Sequence, residues 1–230
     1  MFGFGYTGII ASMKKVGAAP PSYPSSLKLF IDAGNAASYP GSGTTVTDLT
    51  TNANNCTLVN GAGYSASNGG IFTFDGVNDN ISTPIYSTVT EMSGMYWINL
   101  SSYALNPPLL SDAGAGYLKF FISSGGNVAW ANYLSASAVG TTILSLNTWY
   151  AVGFSHKTGQ TSKVYLNGVL DGNSGTNSNN IGNNSTLLKL MTDNVFFSSG
   201  KLGNVKIFNA QMTDADFLGH FNEFKTRYGY

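Results

Sequence analysis

Residues 163 to 172, Lys-Val-Tyr-Leu-Asn-Gly-Val-Leu-Asp-Gly, narrow the folds open to this chain more than any other stretch. Two β-type runs flank Asn167-Gly168. Both residues tolerate the positive φ that the central positions of a type I′ turn require, and that turn matches the twist of two antiparallel strands. A tight hairpin is therefore predicted here. The rest of the chain repeats the pattern. Strands are predicted over 27–32, 70–75, 94–100, 117–122, 149–155, 162–166, 187–192 and 201–208, separated by Gly, Asn, Ser and Thr turns. Short strands at regular spacing with turn signals between them point to a sandwich or barrel. The one good helix signal comes at the end. Thr213 can cap it, Asp214 and Asp216 favour its positive end, and Phe217, Leu218, Phe221 and Phe224 recur at helical spacing.

Polarity here comes from neutral groups. Only 10% of the residues are charged, against about 25% in a typical soluble domain. Eleven basic residues balance eleven acidic ones, so no net field draws nucleic acid or an anionic membrane. No run approaches the roughly 20 apolar residues that cross a bilayer, and membrane insertion is not expected. The lone Cys56 excludes an internal disulfide; it reads as a small buried hydrophobe in a chain folded in a reducing cytoplasm. Residues 1–26 stand apart. They carry Phe2, Phe4, Tyr6, Ile9 and Ile10 and close on Pro20-Pro21-Ser22-Tyr23-Pro24, which reads as an extended arm. Its apolar residues point to an anchor on another subunit. The Gly3-Phe4-Gly5-Tyr6-Thr7-Gly8 stretch has dinucleotide-loop spacing but lacks the preceding strand that such a loop needs.

Several segments, in order, resemble the laminin G-like branch of the concanavalin A-like jelly rolls. They are Leu27 to Tyr39 with its Asp32-Ala33-Gly34-Asn35 turn, Cys56-Thr57-Leu58, Phe74-Asp75-Gly76-Val77-Asn78-Asp79-Asn80, Asn147-Thr148-Trp149-Tyr150, the Asn167-Gly168 hairpin, and Gly200 to Asn209. The resemblance covers about residues 27 to 230 and implies an all-β fold, a two-sheet antiparallel jelly-roll sandwich with a short C-terminal helix behind the extended N-terminal arm. The opening turn together with the terminal Arg227-Tyr228-Gly229 is also similar to jelly-roll domains of tailed-phage virion proteins.

Enzymes of this fold are often glycosidases, which need two carboxyl groups about 5–10 Å apart. Glu91 and Glu223 are the only glutamates, one near a turn and one on the helix, and the family's paired-glutamate strand motif is missing. His156 and His220 read as surface or edge residues, without the Gly-x-Ser-x-Gly elbow of a serine hydrolase. No catalytic residue and no catalytic cofactor is expected. Related jelly rolls often hold a structural calcium, and Asp75, Asn78 and Asp79 are the hard ligands on offer. Gly203-Asn204, standing where the family commonly has Asp-Glu, weakens that site. Carbohydrate binding is the family's usual non-enzymatic task, and Tyr103, Trp130 and Tyr133 are the aromatic candidates, with Trp97 and Trp149 assigned to the core. The resulting expectation is a non-catalytic virion protein of a tailed phage, a capsid decoration protein or a head or tail fibre component. It assembles in the host cytoplasm as a homo-oligomer, is held to capsid or tail subunits by residues 1–26, and displays a sandwich toward surface glycans. A free lectin module and, behind it, a glycosidase are the alternatives.

Overall fold

Alternating side chains and Gly/Asn turns leave each β run of this chain one apolar face to cover, and two sheets cover each other. A computed structural model of the protein describes residues 23–86, 90–112, 118–132, 138–177 and 187–230. The strands are β1 Leu27–Asp32, β2 Thr45–Val46, β3 Cys56–Val59, β4 Gly63–Ser65, β5 Ile71–Asp75, β6 Asn80–Tyr86, β7 Glu91–Leu100 and β8 Pro108–Ser111. They continue as β9 Leu118–Ile122, β10 Val128–Asn132, β11 Ala138–Val139, β12 Tyr150–Lys157, β13 Gln160–Leu166, β14 Val169–Asn177, β15 Leu187–Leu190 and β16 Ser199–Phe208. The first sheet runs β14-β13-β12-β7-β16-β5-β4, with β1 also paired to β16; the second runs β11-β10-β9-β8-β15-β6-β3-β2. All the pairings are antiparallel. This is the two-sheet sandwich that the resemblance implies.

Between the sheets lies an apolar core that includes Leu29, Phe72, Tyr96, Phe120, Trp130 and Phe154. A helix, α1 (Asp214–Phe224), crosses the outer face of the first sheet. Thr213 caps it through a capping box with Asp216. Phe217 is buried beneath it, its ring stacked on Tyr165 with 3.7 Å between centroids. The terminal turn, Lys225–Tyr228, places Arg227 against the beginning of the chain. Its guanidinium donates to Asp32 at 2.6 Å and to the carbonyls of Asn68 and Gly70. The Asp32 turn and the Arg227 terminus, far apart in sequence, thus form one clasp. Among the described residues no helix is long and apolar enough to cross a membrane.

Several expectations are corrected. Trp130 is not open to a glycan: it lies on β10, fully buried and stacked on Phe154 at 4.0 Å. His156 is buried between the sheets, because β12 is an interior strand covered on both faces. His220 is buried as well, on the side of α1 that meets the first sheet. Leu218, read as part of the helix's apolar face, is 46% exposed. Cys56 is a buried free thiol, as expected, and burial pushes its pKa up to about 12.

Candidate functional site

The Asn167-Gly168 turn does more than join two strands. Both residues have positive φ, +50° and +80°, and Leu166 pairs with Val169 across the two-residue loop. Asn167 fixes the turn to β12 by accepting the Ala151 amide at 3.0 Å and donating its own amide to the Ala151 carbonyl at 2.7 Å. Its side-chain NH₂ donates to the Tyr230 hydroxyl at 3.3 Å, and that hydroxyl donates to the Trp149 carbonyl at 2.6 Å. Gly168 lies against Leu218 and Phe221 of α1, so that a Cβ there would come within 2.9 Å of the Leu218 Cα.

These contacts assemble an aromatic shelf. Trp149 and Phe221 are half-buried and Tyr230 is 46% exposed. The Phe221 and Tyr230 rings meet edge-on at 5.3 Å, while Trp149 leans on buried Tyr228 at 4.5 Å. Tyr228 in turn stacks on buried Trp97. Rigid aromatic faces with little rotamer freedom left to lose are therefore presented at the surface. Asn147, Thr148 and Asn222 are exposed around them, and Lys225 donates to the Asn222 side chain at 2.9 Å. Apolar faces ringed by a few polar groups suit a ligand that is apolar on one side and hydroxylated at its rim.

At the other end of α1 lies a groove of about 710 Å³, lined by Gln160, Thr161, Lys163 and Thr176 of β13 and β14 and by residues 211–215 at the start of the helix. Asp214 holds its wall. It accepts the Tyr165 hydroxyl at 2.7 Å and pairs with Lys163 at 3.0 Å. Those two contacts, the hydroxyl first, keep its carboxyl below the usual carboxylate range. The remaining polar side chains are amides and hydroxyls, suited to neutral hydrogen-bonding partners.

The residues singled out in sequence are dispersed. Tyr103 is half-buried in the loop after β7, its ring beside Gly126, and burial raises its pKa to about 12. Trp130 is inside the core. Tyr133 and the arm residues Phe2, Phe4, Tyr6, Ile9 and Ile10 lie outside the described residues. Asp75 and Asp79 share one turn, and each gives one carboxylate oxygen to a backbone amide. Asp75 accepts the Val77 amide at 2.8 Å, Asp79 accepts the Asp75 amide at 3.0 Å, and the Asn78 carbonyl accepts the Asn60 and Asn80 side chains. Tyr228 covers Gly203, one of the two positions where the family commonly has acids. Among the described residues no group of three His, Cys, Asp or Glu side chains is placed to hold a metal. Two carboxylates with no third acidic side chain beside them are a sparse ligand set for calcium. The glutamates sit in separate ion pairs, Glu91 with Lys157 and Glu223 with Lys206. Ser162 and His156 do meet, at 2.8 Å, but both are fully buried. Trp149 is the shelf residue that the sequence assigns to the core, whereas it is half-buried. Its position next to Tyr150, which begins β12, marks it as a strand-edge residue, and the Asn167 turn that supports it was already in view.

The fold is a two-sheet antiparallel sandwich of the jelly-roll kind. Residues 74–216 match the family described as the Concanavalin A-like lectin/glucanases superfamily, and the chain belongs to it. Among curated proteins none matches the chain in sequence. Among solved structures, the binding domain of Paraclostridial Mosquitocidal Protein 1 superposes with a TM-score of 0.68 at 13% identity, covering 86% of this chain and 52% of that one. Trypanosoma rangeli sialidase superposes at 0.64 and 14% identity, covering 93% and 35%. An HCR/D mutant superposes at 0.64 and 15% identity, covering 86% and 51%. The chain thus spans about half, or a third, of these structures, and at such identities the likeness is one of fold.

Proposed function

We propose that this protein is a non-catalytic glycan-binding domain, and that the aromatic shelf of Trp149, Phe221 and Tyr230 is where it holds a sugar ring. The observation that carries this reading is the shelf itself. Three aromatic side chains stay partly exposed while their supporting partners Trp97 and Tyr228 are buried, and neutral amides and hydroxyls border them. Family membership supports a carbohydrate ligand. The separate ion pairs of Glu91 and Glu223 and the burial of Ser162 and His156 argue against hydrolysis. A glycan array with the full chain tests the reading. Trp149→Ala is expected to abolish the signal of the best-bound glycans while Tyr103→Ala leaves it in place; a signal indifferent to Trp149, or no binding at all, would refute it.

The wider setting that fits the sequence is a phage virion, with residues 1–26 holding a homo-oligomer to capsid or tail subunits and the sandwich displayed outward. What supports it is the apolar arm, the single thiol and the likeness of the two ends of the domain to virion jelly rolls. Deleting residues 1–22 is expected to release the protein from purified particles without lowering its melting temperature. Particles that retain the shortened chain would rule the anchor out.

A further inference from the structure

The groove and the shelf lie on one line. The β13–β14 register places Thr161 opposite Thr176, Lys163 opposite Asn173 and Tyr165 opposite Leu170. Cross-strand partners share a face of the sheet, so Thr161, Lys163 and Tyr165 point the same way as Thr176, Asn173 and Leu170. It is the face on which α1 lies, because Tyr165 stacks on Phe217 and Lys163 pairs with Asp214. Thr176 and Asn173 are exposed and Leu170 is 38% exposed. One end of this strip is the 710 Å³ groove at the first turn of the helix. The other is the Gly168 turn, where Leu218 and Phe221 begin the shelf. From Asp214 at the groove to Phe221 at the shelf the helix advances seven residues, about 10 Å at the rise of an α-helix.

We infer that the strip, groove and shelf form a single track for an extended neutral oligosaccharide, so that this protein recognises the interior of a polysaccharide chain and not a lone terminal sugar. This deepens the glycan reading and rests on it. A track along a helix wall suits a linear ligand, and its polar groups are amides and hydroxyls apart from Lys163 and Asp214, which neutralise each other. A peptide adding as an extra strand would need the open edge of β14. That edge is closed at Asp171, whose carbonyl accepts the Thr141 amide at 3.1 Å and whose carboxylate accepts the Thr142 hydroxyl at 2.6 Å.

The test is affinity electrophoresis of the full chain through galactomannan, xylan and laminarin, with the corresponding disaccharides and hexasaccharides as competitors. For whichever polymer retards the protein, the hexasaccharide is expected to compete at least about tenfold better than the disaccharide. The double variant Gln160→Ala/Gln211→Ala, which alters only the groove end, is expected to remove that gain and leave disaccharide competition unchanged. Equal competition by the two lengths, or a double variant indistinguishable from the native chain, overturns the track. So does a protein that holds short glycans on the array yet is retarded by none of the three polymers. A protein that holds no glycan in either assay refutes the glycan reading itself.

Discussion

His220 is a base placed where a proton is costly. It is 5% exposed, neither ring nitrogen has a partner among the described residues, and it lines a pocket of about 180 Å³ with Lys206, Glu223, Asp216 and Tyr23. Burial first and the Lys206 ammonium second hold its pKa well below 6.5. Above that pH both folded and unfolded chains carry a neutral ring, and the group has no effect on stability. Below it the unfolded chain takes up a proton that the folded chain refuses, so stability is lost as pH falls, by up to about 1.4 kcal/mol per pH unit. Urea titrations from pH 7 to pH 5 are expected to show this slope in the native chain and a shallower one in His220→Gln; parallel slopes would mean that another group is responsible. Arg227 is the opposite case, a charge with every partner in place. Arg227→Ala strands a nearly buried Asp32 and is expected to cost about 3 kcal/mol by urea unfolding. Arg227→Lys should rescue little, since an ammonium cannot reproduce the fork that reaches Asp32, Asn68 and Gly70. If Lys restores full stability, the clasp is only a charge pair. Neither role was legible in sequence. A helical histidine between Gly219 and Phe221 gives no sign of which face it takes, and the partners of Arg227 lie near the other end of the chain. The calcium turn illustrates the same limit. Asp75, Asn78 and Asp79 have the right chemistry, but the backbone amides that take one oxygen of each aspartate are visible only in three dimensions. The melting temperature is expected to be the same in calcium and in chelator; a rise with calcium would restore the site.

At the level of elements, local signals were most reliable where they required an unusual backbone. The Asn167-Gly168 turn needs positive φ twice, and the Thr213 cap needs a hydroxyl and an acid three residues apart; both are where the sequence places them. Each of the eight strands expected from alternation is present, with ends shifted by a few residues. What alternation missed lies mostly in the second sheet. β6 contains Pro84, β8 opens at Pro108, and β10 hides among Asn and Gly residues, so turn signals masked strands that tertiary pairing stabilises. The same ambiguity put Trp130 at the surface and Trp149 inside. Gly168→Ala tests how tightly hairpin and helix are joined. An alanine there must adopt φ near +80° and displace Leu218, for an expected loss of about 1–2 kcal/mol together with weaker glycan binding at the shelf. Unchanged binding would show that the shelf does not depend on the turn. Thr213→Ala should cost about 1 kcal/mol through the cap, with the loss concentrated in the hydrogen-exchange protection of α1.

Across the whole molecule the sheets are stitched late to early. β7 occupies the middle of the first sheet, and one of its two neighbours is β16, with Leu100 opposite Gly200. β1, the first strand, also waits for β16, with Asp32 opposite Asn204. Contacts of such sequence separation slow folding, because the loop must close before the contact stabilises anything. During synthesis the chain therefore emerges with β1 and one side of β7 unpaired until residues 199–208 leave the ribosome, when β16 completes the sheet and α1 then covers it. A ribosome that stalls, or a stop codon placed before residue 199, would release a chain with bare strand edges on both elements. Such fragments should be found in the insoluble fraction and with holdase chaperones, not as smaller soluble domains.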